Sequence, residues 1–170
     1  MKKTSKTIAV LLILFVTAAT LCSCFDMFTP RSEIVIRTLG EYEKEEYYSS
    51  GGFQDYTDYG KYYYSEVPNF EGNEYFAPVC ASDIEVLYGY IDNFDNWIKA
   101  IASGASSENE KALVKNYDLD RAVITESDYF YIYDRMGEPI GESQYEQYED
   151  YDVYIFDVES CILYFFHNNI

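Results

Sequence analysis

Apolar residues recur in alternating steps of three and four along one central stretch of the chain. They are Ile84, Leu87, Ile91, Phe94, Ile98 and Ile101. This spacing places all six on one face of an α-helix, and Tyr90 and Trp97 widen that face. Ser82-Asp83-Ile84-Glu85 has the form of a capping box, and Gly104 suits the end of a helix. The pattern therefore predicts a long amphipathic helix over about residues 83–103.

The C-terminal half carries a shorter period that is typical of strands. The predicted strands are 128–134, 152–157 and 161–168, with a turn at 135–138 and a possible edge strand beginning at Pro139. Val153 and Ile155 lie on one face and Tyr154 and Phe156 on the other, so this strand is apolar on both sides and belongs in the middle of a sheet. We expect an α+β fold in which a small antiparallel sheet of three or four strands carries the 83–103 helix on one face.

The remaining segments give less regular patterns. Residues 106–117 predict a second, shorter helix, because Ser107 and Glu110 fit a capping box. Residues 32–39 are β-branched and predict a strand. Residues 40–66 hold eight tyrosines, four glycines and many acids without a sustained period, and we interpret them as a flexible, low-complexity segment. The alternative is that this segment presents an aromatic and acidic surface to a ligand.

The first residues form an export signal. Lys2, Lys3 and Lys6 precede an uncharged apolar run from Ile8 to Leu21. That run is shorter than the roughly 20 residues that span a bilayer, which favours a cleaved signal over a retained anchor. We therefore expect residues 1–23 to be removed, residues 24–66 to form a tether with the tyrosine-rich segment, and residues 67–170 to form a single domain.

The end of the apolar run identifies the kind of signal. Leu21-Cys22-Ser23-Cys24 resembles the lipobox of bacterial lipoproteins, with an aliphatic residue at −3, a tolerant −2 position and a small residue at −1. The resemblance covers the leader alone. It implies a diacylglyceryl group on the Cys24 thiol, with Cys22 leaving in the signal peptide, and a location on the extracytoplasmic face of the cell membrane.

Composition limits the partners. The chain has 12 Lys and Arg against 30 Asp and Glu, and loss of residues 1–23 removes three lysines and no acid, leaving 9 against 30, or −21. Such a charge excludes nucleic acid, whose phosphates bind cationic side chains, and it is repelled by anionic lipid. The membrane is therefore contacted through the lipid only. Of the other cysteines, Cys80 and Cys161 either form a disulfide or stay separate thiols.

The sequence carries no recognisable catalytic or metal-binding motif. His167 is the only histidine, and no G-x-S-x-G, phosphate-binding or zinc-ligand pattern accompanies it. Asp118-x-Asp120 begins like an EF-hand loop, but Val123 stands where glycine is required. Two further acidic groups are candidates for weak cation binding or are simply solvated. They are Glu142, Glu146, Glu149, Asp150 and Asp152 in one loop, and Asp92 and Asp95 on the helix.

These observations favour a non-catalytic binding or interaction module, anchored by lipid to the cell surface, with no cofactor beyond the acyl group. Its ligand is an unidentified protein, glycan or cation. Two alternatives remain open. One is a surface hydrolase that uses a pair of carboxylates on cell-wall glycans, and the other is a divalent-cation-binding protein.

The lipobox generates the first prediction. Replacing Cys24 by Ala should abolish lipidation and leave an unprocessed chain, because the modified thiol is the acceptor. Cys22→Ala is the matched control and should be processed normally. Mass spectrometry of the native product and partition into detergent measure the outcome. A product that begins elsewhere than Cys24, or that lacks fatty acid, would contradict the assignment.

Overall fold

The computed structural model describes residues 30–52, 56–135 and 149–169. The chain divides into two compact units, Met1–Thr38 and Leu39–Ile170. In the described part of the first unit lies the helix α1, Arg31–Arg37. The predicted strand over 32–39 is therefore wrong. Glu33 in the first turn and Arg37 in the last form an ion pair one turn apart, and each has the charge that the helix dipole favours at its end. These local interactions outweigh a β propensity that depends on context.

In the described residues, the second unit forms one six-stranded antiparallel sheet in the order β1-β2-β6-β5-β4-β3. The strands are β1 Lys44–Ser49, β2 Tyr56–Tyr63, β3 Ala77–Pro78, β4 Tyr129–Asp134, β5 Asp150–Asp157 and β6 Ile162–Asn169. The helices of this unit are α2 Ala81–Gly104 and α3 Glu108–Asn116, with a 3₁₀ turn at Arg121–Val123. The class is α+β, as expected.

The expected architecture within that class is wrong. The described residues give six strands instead of three or four, and three α-helices instead of one long helix. The extra strands β1 and β2 come from the segment 40–66 that we interpreted as flexible. Its tyrosines hid the alternation because they occupy both faces of the sheet. Tyr59 and Tyr62, for example, are three positions apart and therefore lie on opposite faces of the sheet, yet both are buried.

Several predicted elements are present. The long helix extends two residues beyond its predicted start and one beyond its end, and α3 begins at the predicted capping box of Ser107 and Glu110. The cap of α2 differs: Cys80 is the N-cap, and its backbone N–H donates to Asp83 Oδ2 at 2.9 Å. The strands β4, β5 and β6 match within two residues. The predicted turn after residue 135 and the edge strand at Pro139 lie outside the described residues.

One face of the sheet is covered by α2. The buried helix residues are Leu87, Tyr90, Ile91, Phe94 and Ile98. They share a core with side chains of the central strands, and the ring of Phe94 lies 5.0 Å from that of Phe166. Each fully buried side chain of this size contributes about 1.5–3 kcal/mol gross, so this layer is the principal apolar contact of the fold.

The opposite face is covered in part by the chain between β2 and β3. Phe70 stacks on Tyr129 with ring centroids 3.8 Å apart and meets Phe156 edge-on at 5.3 Å. Phe76 approaches Tyr154 at 6.3 Å. The two edge-to-face pairs have a preferred aromatic geometry, and Phe70 and Tyr129 form a close parallel stack. The central strands are consequently buried on both sides, as the sequence predicted for β5.

A charged network joins β1, β2 and the segment after α3. Lys61, which is buried, places Nζ 2.7 Å from Asp118 Oδ2 and 3.3 Å from Glu46 Oε2. Burial lowers the pKa of Lys61, but the two carboxylates outweigh it, so the pKa is raised overall. Hydrogen bonds from Lys44, Tyr63 and Lys61 lower the pKa of Glu46 to about 2. The network holds the edge strand to its neighbour.

This network predicts a pH dependence. The pKa of Glu46 is depressed below its ordinary 4.5, so its stabilisation is complete above about pH 4.5 and is lost as the pH falls toward 2. Urea unfolding of wild type and Glu46→Gln should differ at neutral pH and converge in that range. Glu43→Gln, an exposed charge removal nearby, should keep the wild-type profile. Parallel curves for wild type and E46Q would contradict the assignment.

Candidate functional site

A row of polar side chains crosses three neighbouring strands. Asp58 of β2 lies directly opposite His167 of β6, which lies directly opposite Asp152 of β5. Residues in register share a face of the sheet, so the three side chains stand side by side. Their exposed fractions are only 5, 2 and 3% respectively. A buried polar row of this kind needs partners for every polar atom.

The row satisfies part of that need. His167 Nδ1–H donates to Asp152 Oδ1 at 2.6 Å. Arg135 pairs with Asp150 and lies 3.7 Å from Asp152 Oδ2. Two buried atoms have no partner in the described residues, His167 Nε2 and Asp58 Oδ1. These two atoms belong to directly opposed residues.

An aspartate that orients a histidine can serve acid–base chemistry, but the imidazole must reach a substrate. His167 is almost fully enclosed, and the ring of Tyr56 covers it with centroids 4.6 Å apart. The row is therefore best interpreted as a buried polar support that fixes the register of β2, β6 and β5. It also fixes the position of Tyr56, whose side chain lines an open cleft.

This cleft, called here the Trp97 cleft, lies where β2 begins and β6 ends. Its lining residues are Ser50, Gly51, Tyr56, Thr57, Trp97, Ile101, Glu110 and Asn169, and its volume is about 230 Å³. Trp97 and Ile101 come from the C-terminal half of α2. Gly51 has φ +73° and a Cβ there would lie 3.2 Å from Asn109, so glycine allows the chain to close this end of the cleft.

Polar groups in the Trp97 cleft have hydrogen-bonding capacity left. In the described residues, neither the Trp97 indole N–H nor the side-chain amide of Asn169 makes a hydrogen bond. Ser50 Oγ accepts from the backbone N–H of Thr57 at 2.9 Å, which leaves its own hydroxyl hydrogen to donate. Backbone N–H groups of Ser107 and Ser106 lower the pKa of Glu110, so its carboxylate is ionised. Burial, followed by the nearby Asp58 carboxylate, raises the pKa of Tyr56, which stays a neutral phenol.

A second groove of about 530 Å³ lies between α2 and residues 117–121. Most of its acids already have internal partners. Asp118 accepts from Tyr59 and Lys61, Asp95 accepts from Tyr117, and Asp120 caps the 3₁₀ turn. Arg121 at its edge pairs with Asp92. This groove is larger than the Trp97 cleft, but its polar groups serve the fold.

The residues singled out from the sequence are scattered. Cys24, Glu142 and Glu146 lie outside the described residues. Cys80 is an exposed free thiol and Cys161 a half-buried one. Of the acidic group around residue 150, Asp150 and Asp152 belong to β5. No group of three or more Asp, Glu, His or Cys among the described residues is arranged to hold a metal ion.

Comparison with known proteins gives no relative. No family model matches the sequence, and no curated protein or solved structure is significantly similar to it. Among the residues that the structure describes, no helix combines the length and apolar character needed to cross a bilayer. A function must therefore be inferred from the chain's own residues.

Sequence reasoning missed the Trp97 cleft. The sequence places Trp97 on the apolar face of α2, which is correct. Tyr56 and Asn169, which line the cleft with it, are 113 positions apart along the chain, so no local pattern relates them. One signal was available: Trp97 lies at the edge of the apolar face of α2. A large side chain at such an edge stays half-exposed, whereas one at the centre is buried.

The buried row predicts strong coupling between His167 and Asp152. His167→Leu or Asp152→Leu alone should each lower the free energy of unfolding by about 3–5 kcal/mol, because each leaves a buried polar partner unpaired. The double variant should lose clearly less than the sum of the two. Urea unfolding of the four proteins measures this. Strict additivity would show that the pair makes no coupled contribution.

Proposed function

We propose that this protein is a lipid-anchored binding module on the outer face of a bacterial cell membrane, and that it holds a small ligand in the Trp97 cleft without changing it chemically. The observation that carries the proposal is the cleft itself: hydrogen-bonding groups without partners lie beside aromatic walls. Such a combination of apolar surface and a few convergent polar groups is typical of ligand sites.

The cleft has a rigid frame. Thr57 is buried, and its hydroxyl donates to Asn168 Oδ1 at 3.1 Å. Tyr56 rests on His167, whose ring is in turn held by Asp152. Side chains that are fixed before the ligand arrives lose little conformational entropy on binding. The buried polar row thus has a place in the proposed function as a support for the cleft.

The proposed anchor and charge suit a receptor of this kind. The Cys24 lipid would keep the domain at the membrane, whereas a formal charge of −21 on residues 24–170 would hold it away from anionic headgroups. The cleft would then face the medium or the cell wall.

Trp97 is the only tryptophan, so its fluorescence reports directly on the cleft. We expect at least one fraction of envelope extract or growth medium to change this emission saturably and to raise the melting temperature of the full-length lipoprotein. Asn169→Ala removes a cleft group but keeps the fluorophore and should weaken the effect. Lys99→Ala in the second groove is the matched control and should not.

Two results would contradict the proposal. Effects that are equal in wild type and N169A would place the ligand elsewhere, and a complete absence of active fractions would remove the binding function. Mass spectrometry of the bound compound after long incubation should recover it unchanged. Conversion of the compound would instead favour a hydrolase.

A further inference from the structure

The chemistry of the Trp97 cleft narrows the ligand class, on the premise that the proposed binding function holds. We propose that the cleft binds one ring of a neutral saccharide, as part of an extracellular or cell-wall glycan. Size, apolar surface, hydrogen-bonding groups and charge each contribute to this inference.

The size of the cleft fits a single ring. A volume of about 230 Å³ lies just below the range of about 300–1,000 Å³ that is typical of small-molecule sites, so the cleft suits a small ligand. A single monosaccharide ring is a ligand of this size. The cleft is open to solvent on one side, so further units of a glycan chain have an exit.

The walls of the cleft match the apolar face of a sugar ring. The C–H bonds on one side of a pyranose form a flat apolar surface that packs against aromatic rings. Trp97 and Tyr56 supply such rings, and Ile101 adds aliphatic surface. Aromatic side chains offer a large contact area with few rotatable bonds, so their ordering costs little conformational entropy.

The polar groups match the hydroxyl rim of the sugar. The indole N–H of Trp97 and the hydroxyl of Ser50 can donate, the Glu110 carboxylate can accept, and the Asn169 amide can do both. A sugar hydroxyl is both donor and acceptor and can satisfy any of these groups. The mixture of donors and acceptors distinguishes this cleft from an anion site, which would need donors alone.

Charge selects a neutral ring over a charged one. The eight lining residues include no Lys or Arg, so phosphate and carboxylate ligands would find no counter-charge. Glu110 repels such anions. Its charge would attract a cation, but Glu110 is the one acid among the eight lining residues, and its Oε2 already accepts from the backbone N–H groups of Ser106 and Ser107, each at 2.8 Å, so the cleft lacks the several oxygen ligands that a metal cation needs.

The test titrates the full-length lipoprotein with glucose, galactose, mannose and N-acetylglucosamine and follows Trp97 fluorescence. At least one neutral sugar should bind saturably, and N169A should weaken its affinity about fivefold, as expected from the loss of one neutral hydrogen bond of about 1 kcal/mol. Lys99→Ala should leave the affinity unchanged. Glucuronic acid and trilysine are the anionic and cationic probes and should bind more weakly than the best sugar.

Binding of glucuronic acid or trilysine at least as tightly as every neutral sugar would overturn the inference, and so would a lack of binding by all four sugars. The second failure is distinguishable from failure of the proposed function. If an envelope fraction still acts through Asn169 while the sugars do not, the cleft is a ligand site for another class. If neither acts, both proposals fall.

Discussion

The structure depends on the hydrogen bonds that the hydroxyl groups of its tyrosine side chains make when the rings are packed into the core. A tyrosine that enters a core brings a large apolar surface and one polar atom that must be hydrogen-bonded. In this chain the partner is repeatedly an acid or an amide. The pairs are Tyr59 with Asp118 at 2.7 Å, Tyr90 with Asp134 at 2.9 Å, Tyr151 with Asn93 at 2.9 Å, Tyr63 with Glu46 at 2.9 Å, and Tyr117 with Asp95. Burial, reinforced by the carboxylates, raises the pKa of Tyr59 and Tyr117, so both remain donors. The 20 tyrosines and the 30 acids of the composition are therefore linked, because part of the negative charge is needed where the rings end.

That link explains which parts of the fold could be predicted from the sequence. The helix α2 was found because Leu, Ile and Phe mark its buried face unambiguously, and α3 because Ser107 and Glu110 form a local capping box. The strands β1 and β2 were missed because tyrosine has the same hydropathy value whether its side chain is buried or exposed, so a hydropathy pattern does not show which tyrosines face the core. In β2, Tyr59 faces α2 while Tyr62 faces the opposite layer, and the charged Lys61 between them is buried beside two acids. A segment that looks low in complexity thus becomes an interior strand of the sheet, since Tyr59 and Lys61 find hydrogen-bond partners that are distant along the chain.

The same reasoning separates polar groups that maintain the fold from polar side chains of the Trp97 cleft that have no hydrogen-bond partner among the described residues. The acids that the sequence suggested for cation binding are largely engaged: Asp95 with a tyrosine, Asp92 with Arg121, and Asp152 with the only histidine. The Trp97 cleft could not be predicted, because it is assembled from the ends of β1, β2 and β6 and from α2 and α3, and only the completed fold brings them together. Its residues carry no motif. They are distinguished by what they lack, since the side chains of Trp97 and Asn169 make no hydrogen bond in the described part of the chain.

The buried row under Tyr56 connects these two sets of groups. An apolar row at Asp58, His167 and Asp152 would cost less to bury, because each polar side chain there gives up hydration. Polar pairs in a sheet interior do, however, discriminate between registers: a shift of one residue between β2 and β6 would bring Asp58 opposite Phe166 or Asn168 instead of the imidazole of His167. A fixed register places Tyr56 beside Asn169 at the mouth of the cleft. Stability given up in the row is thus the physical basis for a preorganised site, and it makes the geometry of the Trp97 cleft a consequence of the sheet pairing rather than of a loop.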